Sequence, residues 1–185
     1  MRKLVASLFM SVDGVVGDPA GWQLPYFDEE MGREIGAAMA KADAMLLGRA
    51  TYEEWAAFFP SPASEGVPSR DYMNEVRKFV VSNSLKGPLE WNNSTLIEGD
   101  LEDEIAELKA GEGGDIGISG SGTLVRSLLR SDLLDEFNIL LHPVVVGEGK
   151  RRFEGGEERK ALDLVDSKTF STGVVFLTYR PAAAE

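Results

Sequence analysis

Residues Ile116–Leu124 read Ile-Gly-Ile-Ser-Gly-Ser-Gly-Thr-Leu and join three patterns in one short stretch. An apolar strand pattern ends at Ser119, a turn of small residues follows, and a helix pattern over Thr123–Arg130 begins directly after it. Glycine lets a backbone approach a ligand closely, and the first turn of a helix offers unpaired N–H donors with a partial positive charge. The stretch therefore predicts an α/β fold and suits a pyrophosphate, although a tight strand-to-helix turn explains it equally well.

Two familiar phosphate-binding motifs do not fit this turn. No Gly-Lys-Ser/Thr sequence follows the glycines, which disfavours a P-loop. Asp135 and Glu136 come too soon after the turn to be the acidic residue of a dinucleotide-binding βαβ unit. If an anionic ligand binds here, other segments of the chain must help to hold it.

A second strand-to-helix junction lies earlier in the chain. The apolar stretch Met45–Leu47 runs into Gly48 and Arg49, and an arginine at the carboxyl end of a strand is well placed to meet an anion. Thr51 and Glu54 have the spacing of a capping box, which predicts that Thr51 is the N-cap of a helix. Capping leaves Gly48 and Arg49 unexplained, so these two residues are candidate ligand contacts.

A third strand pattern, Phe79–Val81, ends in the polar residues Ser82 and Asn83. Their side chains could hydrogen-bond the ribose or phosphate of a nucleotide, or they could form a turn. The turn is the better explanation for this segment taken alone. Together with the other two junctions, however, it indicates a nucleotide site at the carboxyl ends of several strands.

Helix and strand patterns alternate along the chain, which is typical of a mixed α/β sheet. The predicted strands are Lys3–Met10, Ala44–Leu47, Lys78–Ser82, Thr95–Ile97, Ile116–Ser119, Glu136–Val146, Ala161–Ser171 and Gly173–Arg180. The predicted helices are Asp28–Ala42, Thr51–Phe58, Leu101–Lys109 and Thr123–Arg130. The last two strands form a predicted hairpin, so we expect a mainly parallel sheet with an antiparallel edge. We also expect a single domain over residues 1–181 and a tail over 182–185.

Composition excludes several classes of site and partner. The 185 residues include no cysteine and one histidine, which disfavours disulfides, iron–sulfur clusters and any metal site built from several histidines. The formal net charge of −12 disfavours nucleic acid and anionic membranes as partners. No apolar run reaches the ~20 residues of a membrane-spanning helix, and no signal-peptide cleavage site follows the first strand pattern. We therefore expect a cytoplasmic protein that takes a small-molecule substrate and holds no metal.

The order of these motifs resembles the dihydrofolate reductase superfamily, and most closely its branch with the riboflavin-biosynthesis reductase domain. The resemblance covers nearly the whole chain and includes two further segments. One is Ser11-Val12-Asp13-Gly14 after the first strand, and the other runs from Leu133 through His142–Gly149 to Arg152-Phe153. We expect a stand-alone reductase domain without the zinc deaminase that often accompanies the riboflavin enzyme, because no cysteine is present to hold that metal.

The resemblance implies a three-layer α/β/α fold of the dihydrofolate reductase type, with a mainly parallel central sheet and an antiparallel C-terminal hairpin. It also implies that NADPH binds across the strand ends. The implied cofactor contacts are Val12 and Gly14 beside the nicotinamide, Gly48, Arg49 and Thr51 at the phosphate end, Ser82 and Asn83 at the adenosine half, and Gly120, Ser121, Gly122, Thr123 and Leu124 at the pyrophosphate. A preference for NADPH over NADH rests on Arg49 and the Ser82–Asn83 pair.

The resemblance also bears on the reacting end of the site. Residues Trp22–Asp28 are similar to the dihydrofolate reductase stretch that ends in its single active-site carboxylate, with one residue more before the acid. This implies Asp28 and Asp13 as catalytic carboxylates, and Trp22 and Phe27 as substrate contacts. Asp28 could equally be a plain acid at a helix N-terminus. Asp13 could instead brace its own turn.

Two classes of function remain open from the sequence. The first is an NADPH-dependent reductase acting on a pyrimidine- or pteridine-type heterocycle, similar to 5-amino-6-(5-phosphoribosylamino)uracil reductase of riboflavin biosynthesis or to dihydrofolate reductase. The second is a non-catalytic, nucleotide-binding or structural homodimer that kept the fold. The resemblance and the long apolar strand Glu136–Val146 predict a homodimer through that segment. A lone histidine in such a strand, His142, is more often a packed or interface residue than a catalyst.

Overall fold

The computed structural model describes residues 1–151 and 159–182 and places eight strands in one sheet. The strands are β1 Leu4–Ser11, β2 Ala42–Gly48, β3 Arg77–Val81, β4 Ser94–Ile97, β5 Asp115–Ser119, β6 Glu136–His142, β7 Leu162–Thr169 and β8 Val175–Pro181. Their order is β4-β3-β2-β5-β1-β6-β8-β7. The first six strands pair in parallel, whereas β8 pairs antiparallel with both β6 and β7. The predicted fold class is thus confirmed. Arg152, Phe153 and residues 183–185 of the predicted tail lie outside the described residues.

Five helices connect the strands within the described residues. They are α1 Glu29–Lys41, α2 Arg49–Phe58, α3 Arg70–Glu75, α4 Leu101–Ala110 and α5 Gly122–Arg130. The sequence patterns do not predict α3, because a six-residue helix makes fewer than two turns and shows too little periodicity. They also miss three short 3₁₀ turns at Pro19–Gly21, Leu24–Tyr26 and Pro62–Ser64.

The predicted strand Glu136–Val146 is too long at its carboxyl end. β6 ends at His142, and Pro143, which has no N–H to donate to a strand ladder, follows directly. The backbone N–H of Val144 donates to the carbonyl of His142 at 2.8 Å, which turns the chain away from the sheet. Residues 143–146 therefore belong to a loop at the carboxyl edge of the sheet.

Helices cover both faces of the sheet, which gives the three layers. On one face, α4 and α5 bury Ile105 and Val125 against central strand residues such as Phe137. The opposite face carries two smaller clusters, one under α1 around Met31 and one beside α2 and α3 around Trp91. The central parallel strands are therefore covered on both faces, which leaves their carboxyl edge as the place for a site.

β7 is the edge strand at the end of the sheet that contains β6 and β8, so its outer edge is free within the described part of the chain. β6 lies between β1 and β8, so both of its edges are already paired within the chain. β6 therefore offers no free edge to a second copy, and the predicted homodimer stays a prediction. On β7, by contrast, Leu164 is 54% exposed and Val165 is 45% exposed.

One buried charge in the fold has no carboxylate among its hydrogen-bond partners. Lys78 of β3 is 1% exposed, and its Nζ donates to the carbonyls of Val76 (2.7 Å), Asn92 (3.0 Å) and Asn74 (3.3 Å). The same Nζ lies 4.3 Å from the ring centre of Trp91. Burial lowers the pKa of Lys78 to about 8, since a charged ammonium loses hydration there.

We expect the free energy of unfolding to rise with pH between about 8 and 10.5 through Lys78. The unfolded chain keeps this lysine protonated up to its ordinary pKa of 10.5, whereas the folded chain releases the proton near pH 8. Relative to Lys78→Met, which cannot titrate, the wild type should gain on the order of 3 kcal/mol across this window. Urea unfolding of both proteins at several pH values measures the difference, and parallel pH profiles would contradict the prediction.

Candidate functional site

The two predicted strand-to-helix junctions, after β2 and after β5, are in direct contact. The backbone N–H of Gly48 donates to Ser121 Oγ at 2.9 Å, and the Ser121 hydroxyl donates to Thr51 Oγ1 at 3.1 Å. Ser121 is 5% exposed, so this link is shielded from water. The amino termini of α2 and α5 therefore open onto the same part of the carboxyl edge.

The two glycines on either side of Ser121 have different surroundings. Gly120 has φ +72°, and a Cβ there would lie 3.1 Å from Thr51 Cγ2 and 3.3 Å from the ring of Trp55. A Cβ on Gly122, the first residue of α5, would meet no atom within 4 Å. The Gly122 N–H already donates to the carbonyl of Gly120 at 2.8 Å, so Thr123 and Leu124 are the residues of this first turn whose backbone N–H groups suit an anion.

The next two residues of α5 differ in what they could contribute. Thr123 is exposed at the start of the helix, so its hydroxyl is accessible to a ligand. The Leu124 side chain is 7% exposed and packs into the core, which leaves only its backbone for contact. Of these two residues, Thr123 thus has a side chain that is accessible to a ligand, whereas Leu124 has only its backbone available.

The capping box at Thr51 and Glu54 is wrong. The helix α2 begins two residues earlier, at Arg49, with Gly48 in the N-cap position. Thr51 therefore lies inside the helix, where its hydroxyl receives the hydrogen bond from Ser121. The Thr51 hydroxyl therefore connects the two junctions and does not cap the helix.

Arg49 is exposed at the start of α2 and pairs with Glu53 one turn later, with 2.9 Å between Nη1 and Oε2. About half of each side chain is in solvent. Exposed ion pairs of this kind contribute little free energy, so the guanidinium can exchange Glu53 for another anion at small cost.

The third strand end lies next to the first junction, because β3 pairs with β2. Val81, the last residue of β3, is the register neighbour of Gly48 in β2. Ser82 Oγ accepts hydrogen bonds from the backbone N–H groups of Ser84 (3.2 Å) and Leu85 (3.0 Å), so this side chain closes a turn. Asn83 is exposed at the tip of that turn. Its amide is accessible to a ligand, whereas the Ser82 hydroxyl already has partners.

Asp13 fixes the turn after β1 to the loop after β6. Its carboxylate accepts hydrogen bonds from the Ser11 hydroxyl (2.7 Å) and from the backbone N–H groups of Gly147 (2.9 Å) and Val146 (3.1 Å), and Arg151 lies 3.5 Å away. The Ser11 hydroxyl, followed by the two backbone N–H groups, holds the pKa of Asp13 far below its usual value. Asp13 is therefore ionised at neutral pH and braces its own turn.

Val12 and Gly14 flank Asp13 in this turn. The backbone N–H of Val12 donates to the carbonyl of Val144 at 2.9 Å, while the Val12 side chain is 60% exposed. Gly14 has φ +82° and open space beside it. The turn thus presents an apolar side chain and an uncrowded backbone at the carboxyl edge between β1 and β6.

Asp28 is the N-cap of α1. Its carboxylate accepts a hydrogen bond from the backbone N–H of Met31 (2.8 Å) and another from the Ser171 hydroxyl (3.0 Å) in the β7–β8 turn. The Met31 N–H is the main reason why the pKa of Asp28 lies below its usual value. Phe27, just before it, is 47% exposed. Both predicted carboxylates thus have structural partners and are ionised at neutral pH.

Three aromatic rings surround His142 at the end of β6. The ring centres of Trp22, Tyr26 and Phe9 lie 5.2, 5.9 and 5.6 Å from that of His142, all in edge-on arrangements. The sequence interpretation missed this cluster, because His142 lies more than one hundred residues from the other three rings and no periodic pattern connects them. The predicted strand Glu136–Val146 puts His142 within a strand, and the interpretation of Trp22 as a substrate contact is the one pointer to this cluster.

One groove among the described residues lies elsewhere. It has a volume of about 490 Å³ and is lined by residues 77–79 and 89–95, at the other end of β3 and β4. None of the predicted site residues lines it. Within the described ranges, no group of three or more histidine, cysteine or acidic side chains is arranged to hold a metal ion. Among the residues that the structure describes, no helix is long and apolar enough to cross a membrane.

Some known proteins are similar to this chain in sequence, and others are similar to it in fold. YyaP, an uncharacterized protein of Bacillus subtilis (strain 168), is 28% identical over 183 residues, which cover 96% of this chain and 94% of YyaP. A protein from Shewanella sp. PV-4 superposes with a TM-score of 0.75 at 23% identity, covering 98% of this chain and 100% of that one. Dihydrofolate reductase from Enterococcus faecalis, complexed with NADP(H), gives a TM-score of 0.60 at 16% identity, covering 98% and 97%. At these identities the structural likeness shows the fold.

A family model decides the assignment. The model described as the RibD C-terminal domain matches residues 2–176, which is nearly the whole chain. The match includes the strands from β1 to β7 and both strand-to-helix junctions, and it ends at the start of β8. The likeness to dihydrofolate reductase shows that the chain has the same fold as that enzyme. The chain belongs to the RibD C-terminal domain family.

Proposed function

We propose that this protein binds NADPH along the carboxyl edge of its sheet and catalyses hydride transfer to a pyrimidine- or pteridine-type heterocycle. The hydrogen bond between Gly48 N–H and Ser121 Oγ carries the proposal. It holds the amino termini of α2 and α5 together, and both offer backbone N–H groups and a favourable dipole to one pyrophosphate. Membership of the RibD C-terminal domain family and the dihydrofolate reductase fold support a nicotinamide cofactor.

Each predicted contact has a stated task in this proposal. Gly122, Thr123 and the backbone of Leu124 receive the pyrophosphate, while Gly120 and Ser121 fix the shape of the turn. Arg49 leaves Glu53 to bind the phosphate that distinguishes NADPH from NADH, because a guanidinium makes strong charge-assisted hydrogen bonds to phosphate. Gly48 and Thr51 hold Arg49 and the start of α2 in place. Ser82 and Asn83 border the adenosine half.

The reacting end of the site lies between β1 and β6. NADPH, when bound, supplies the hydride, and the protein contributes orientation and electrostatics. The Asp13 carboxylate holds its turn against the loop 143–147, which keeps Val12 and Gly14 beside the nicotinamide. Trp22 and Phe27 border the substrate.

The catalytic role of Asp13 and Asp28 stays a prediction. Because the pKa of each is lowered, both act as carboxylates that stabilise positive charge on the substrate. The proton that the product needs then comes from water. A Ser171→Ala variant removes the hydrogen bond from the Ser171 hydroxyl to the Asp28 carboxylate. The hydrogen bond from the Met31 N–H to Asp28 remains in this variant.

Arg49→Gln is expected to weaken NADPH binding by about tenfold or more, because one charge-assisted hydrogen bond to phosphate is lost. NADH binding should stay unchanged, since NADH lacks that phosphate. Glu53→Gln is the matched variant: it releases Arg49 from its ion pair and should tighten NADPH binding. Isothermal titration with both cofactors measures all three effects. Failure of the wild type to bind NADPH at millimolar concentration would refute the proposal.

A nucleotide-binding homodimer without turnover is the second candidate function. The observation in its favour is that both predicted carboxylates are already engaged in structural hydrogen bonds. In that case NADPH binds, but no oxidation follows with dihydrofolate or aminouracil substrates. We place the dimer contact at the free edge of β7, where Leu164 and Val165 are exposed. Light scattering tests this: a dimeric mass that becomes monomeric in Leu164→Lys supports it, and a monomeric wild type refutes it.

A further inference from the structure

The groove of about 490 Å³ at the amino-terminal ends of β3 and β4 is lined by residues 77–79 and 89–95. A concave site of this volume is typical of a small-molecule site. The nucleotide edge lies at the opposite ends of the strands, where β3 ends at Val81. None of the residues that we assign to the cofactor or the substrate lines the groove, so the proposed reductase function gives it no task.

Lys78 fixes one wall of the groove. Its buried ammonium donates to the carbonyls of Val76 at 2.7 Å, Asn92 at 3.0 Å and Asn74 at 3.3 Å. These carbonyls belong to the end of α3 and to the segment that leads into β4, so Lys78 holds the two together. Burying a charge among neutral groups is unfavourable, which indicates that the position of this segment matters.

Two asparagines of the groove are anchored by their amide nitrogens. Asn93 Nδ2 donates to the carbonyl of Glu75 at 2.7 Å, and Asn92 Nδ2 donates to the carbonyl of Asn74 at 3.4 Å. Because the nitrogens face carbonyls, the two amide oxygens are left as acceptors. Both side chains are exposed, so a ligand in the groove can reach these oxygens.

Ser94, the first residue of β4, brings further polar groups to the groove. Its Oγ is buried and has no hydrogen-bond partner among the described residues, and rotation about χ1 can turn it toward a ligand. The backbone N–H of Lys78 donates to the carbonyl of Asn93 at 2.8 Å. In a parallel ladder this leaves the N–H and C=O of Ser94, the register neighbour of Lys78, facing away from β3. β4 is an edge strand, so no strand of the described chain pairs with them.

The charges of the groove favour a neutral ligand. Arg77 pairs with Asp43 at 3.0 Å, and the ammonium of Lys78 is engaged by carbonyls. The exposed carboxylate of Glu90 repels a phosphate or a carboxylate, whereas an amine would lie beside the cations Arg77 and Lys78. The groups left for a ligand are amide and carboxylate oxygens and two hydroxyls, which suit a molecule with several O–H groups.

We propose that this groove is a second binding site of the protein and that its ligand is a neutral sugar. Hydroxyl groups of the sugar donate to the amide oxygens of Asn92 and Asn93, and another accepts from the exposed hydroxyl of Thr95. The half-buried side chains of Leu89 and Phe79 also line the groove and suit the C–H face of a sugar ring. Because the groove is remote from the nucleotide edge, this proposal stands or falls independently of the cofactor.

Two-dimensional ¹H–¹⁵N NMR of the wild-type protein tests the proposal, with the side-chain amide signals of Asn92 and Asn93 as the readout. The probes are methyl α-D-glucopyranoside, D-galactose, D-mannose and D-ribose, each titrated alone. The matched control is the fully O-methylated glucopyranoside, which keeps the ring and has no O–H donor. We expect at least one sugar to shift both amide signals in a saturable way, and the methylated control to leave them in place. If no sugar shifts them, or if the control shifts them equally, the proposal is overturned.

Thr95→Val locates the sugar in the groove, because valine keeps the shape of threonine and removes its hydroxyl. We expect the affinity for the sugar that binds best to fall by about fivefold or more. Thr169→Val makes the same change at an exposed position of β7, the edge strand at the other end of the sheet, and should leave the affinity unchanged. Equal sugar affinities of the two variants would contradict the assignment to this groove.

Discussion

Replacing Ser121 with alanine is expected to lower the free energy of unfolding by about 1–3 kcal/mol. The variant leaves the Gly48 N–H without its acceptor and Thr51 Oγ1 without its donor, and both groups lie at the shielded contact between the two junctions. NADPH binding should weaken by about tenfold or more, because the amino termini of α2 and α5 are no longer fixed to each other. Urea unfolding and isothermal titration measure the two effects.

Ser127→Ala is the matched control for this prediction. It makes the same chemical change in the same helix, but Ser127 is exposed and its hydroxyl donates only to the carbonyl of Thr123, four residues earlier. We expect its unfolding free energy to change by less than about 0.5 kcal/mol, and its NADPH affinity to stay the same. Equal losses of stability in the two variants would show that the Ser121 hydroxyl is not the connection between the junctions.

Alanine at Gly120 and alanine at Gly122 should have opposite effects on stability. Gly120→Ala is expected to cost about 2 kcal/mol, because a Cβ at φ +72° is strained and would press on Thr51 and Trp55. Gly122→Ala should be neutral or stabilise by up to about 1 kcal/mol, since the new methyl group meets no atom and alanine favours a helix. Thermal and urea unfolding of both variants give the comparison.

The same pair also tests where the cofactor lies. The methyl group of Gly122→Ala occupies the open space beside the first turn of α5, where we place the pyrophosphate. This variant should therefore fold well and yet bind NADPH about tenfold or more weakly. If Gly122→Ala binds NADPH like the wild type, the pyrophosphate does not approach α5 at this point.

The strand ends could be predicted from the sequence because each shows a local change of pattern. Short apolar runs precede Gly48, Ser82 and Ser119, as is typical of buried strands, and parallel strands bring such ends to one edge. The contact between Gly48 and Ser121 follows the same logic, but the sequence does not reveal its atoms. The sequence pattern predicts that Thr51 is an N-cap, whereas in the fold the Thr51 hydroxyl accepts a hydrogen bond from Ser121.

The loop contacts could not be predicted, because no periodicity connects their members. Asp13 meets Gly147 from 134 positions away, and the chain between them contains most of the sheet. His142 meets Trp22 in the same way. Backbone N–H groups that bind a side chain have no residue signature, so neither the structural partners of Asp13 nor the aromatic cluster around His142 could be read from composition or spacing.

The order of the strands has a consequence for synthesis on the ribosome. β1 is made first, yet its two sheet neighbours are β5 and β6, which end at Ser119 and His142. β7 gains its place only when β8, the last strand, pairs with it and with β6. A nascent chain therefore holds β1 unpaired until β5 has been made, and the nucleotide edge can assemble only after β5 and the first turn of α5 have emerged.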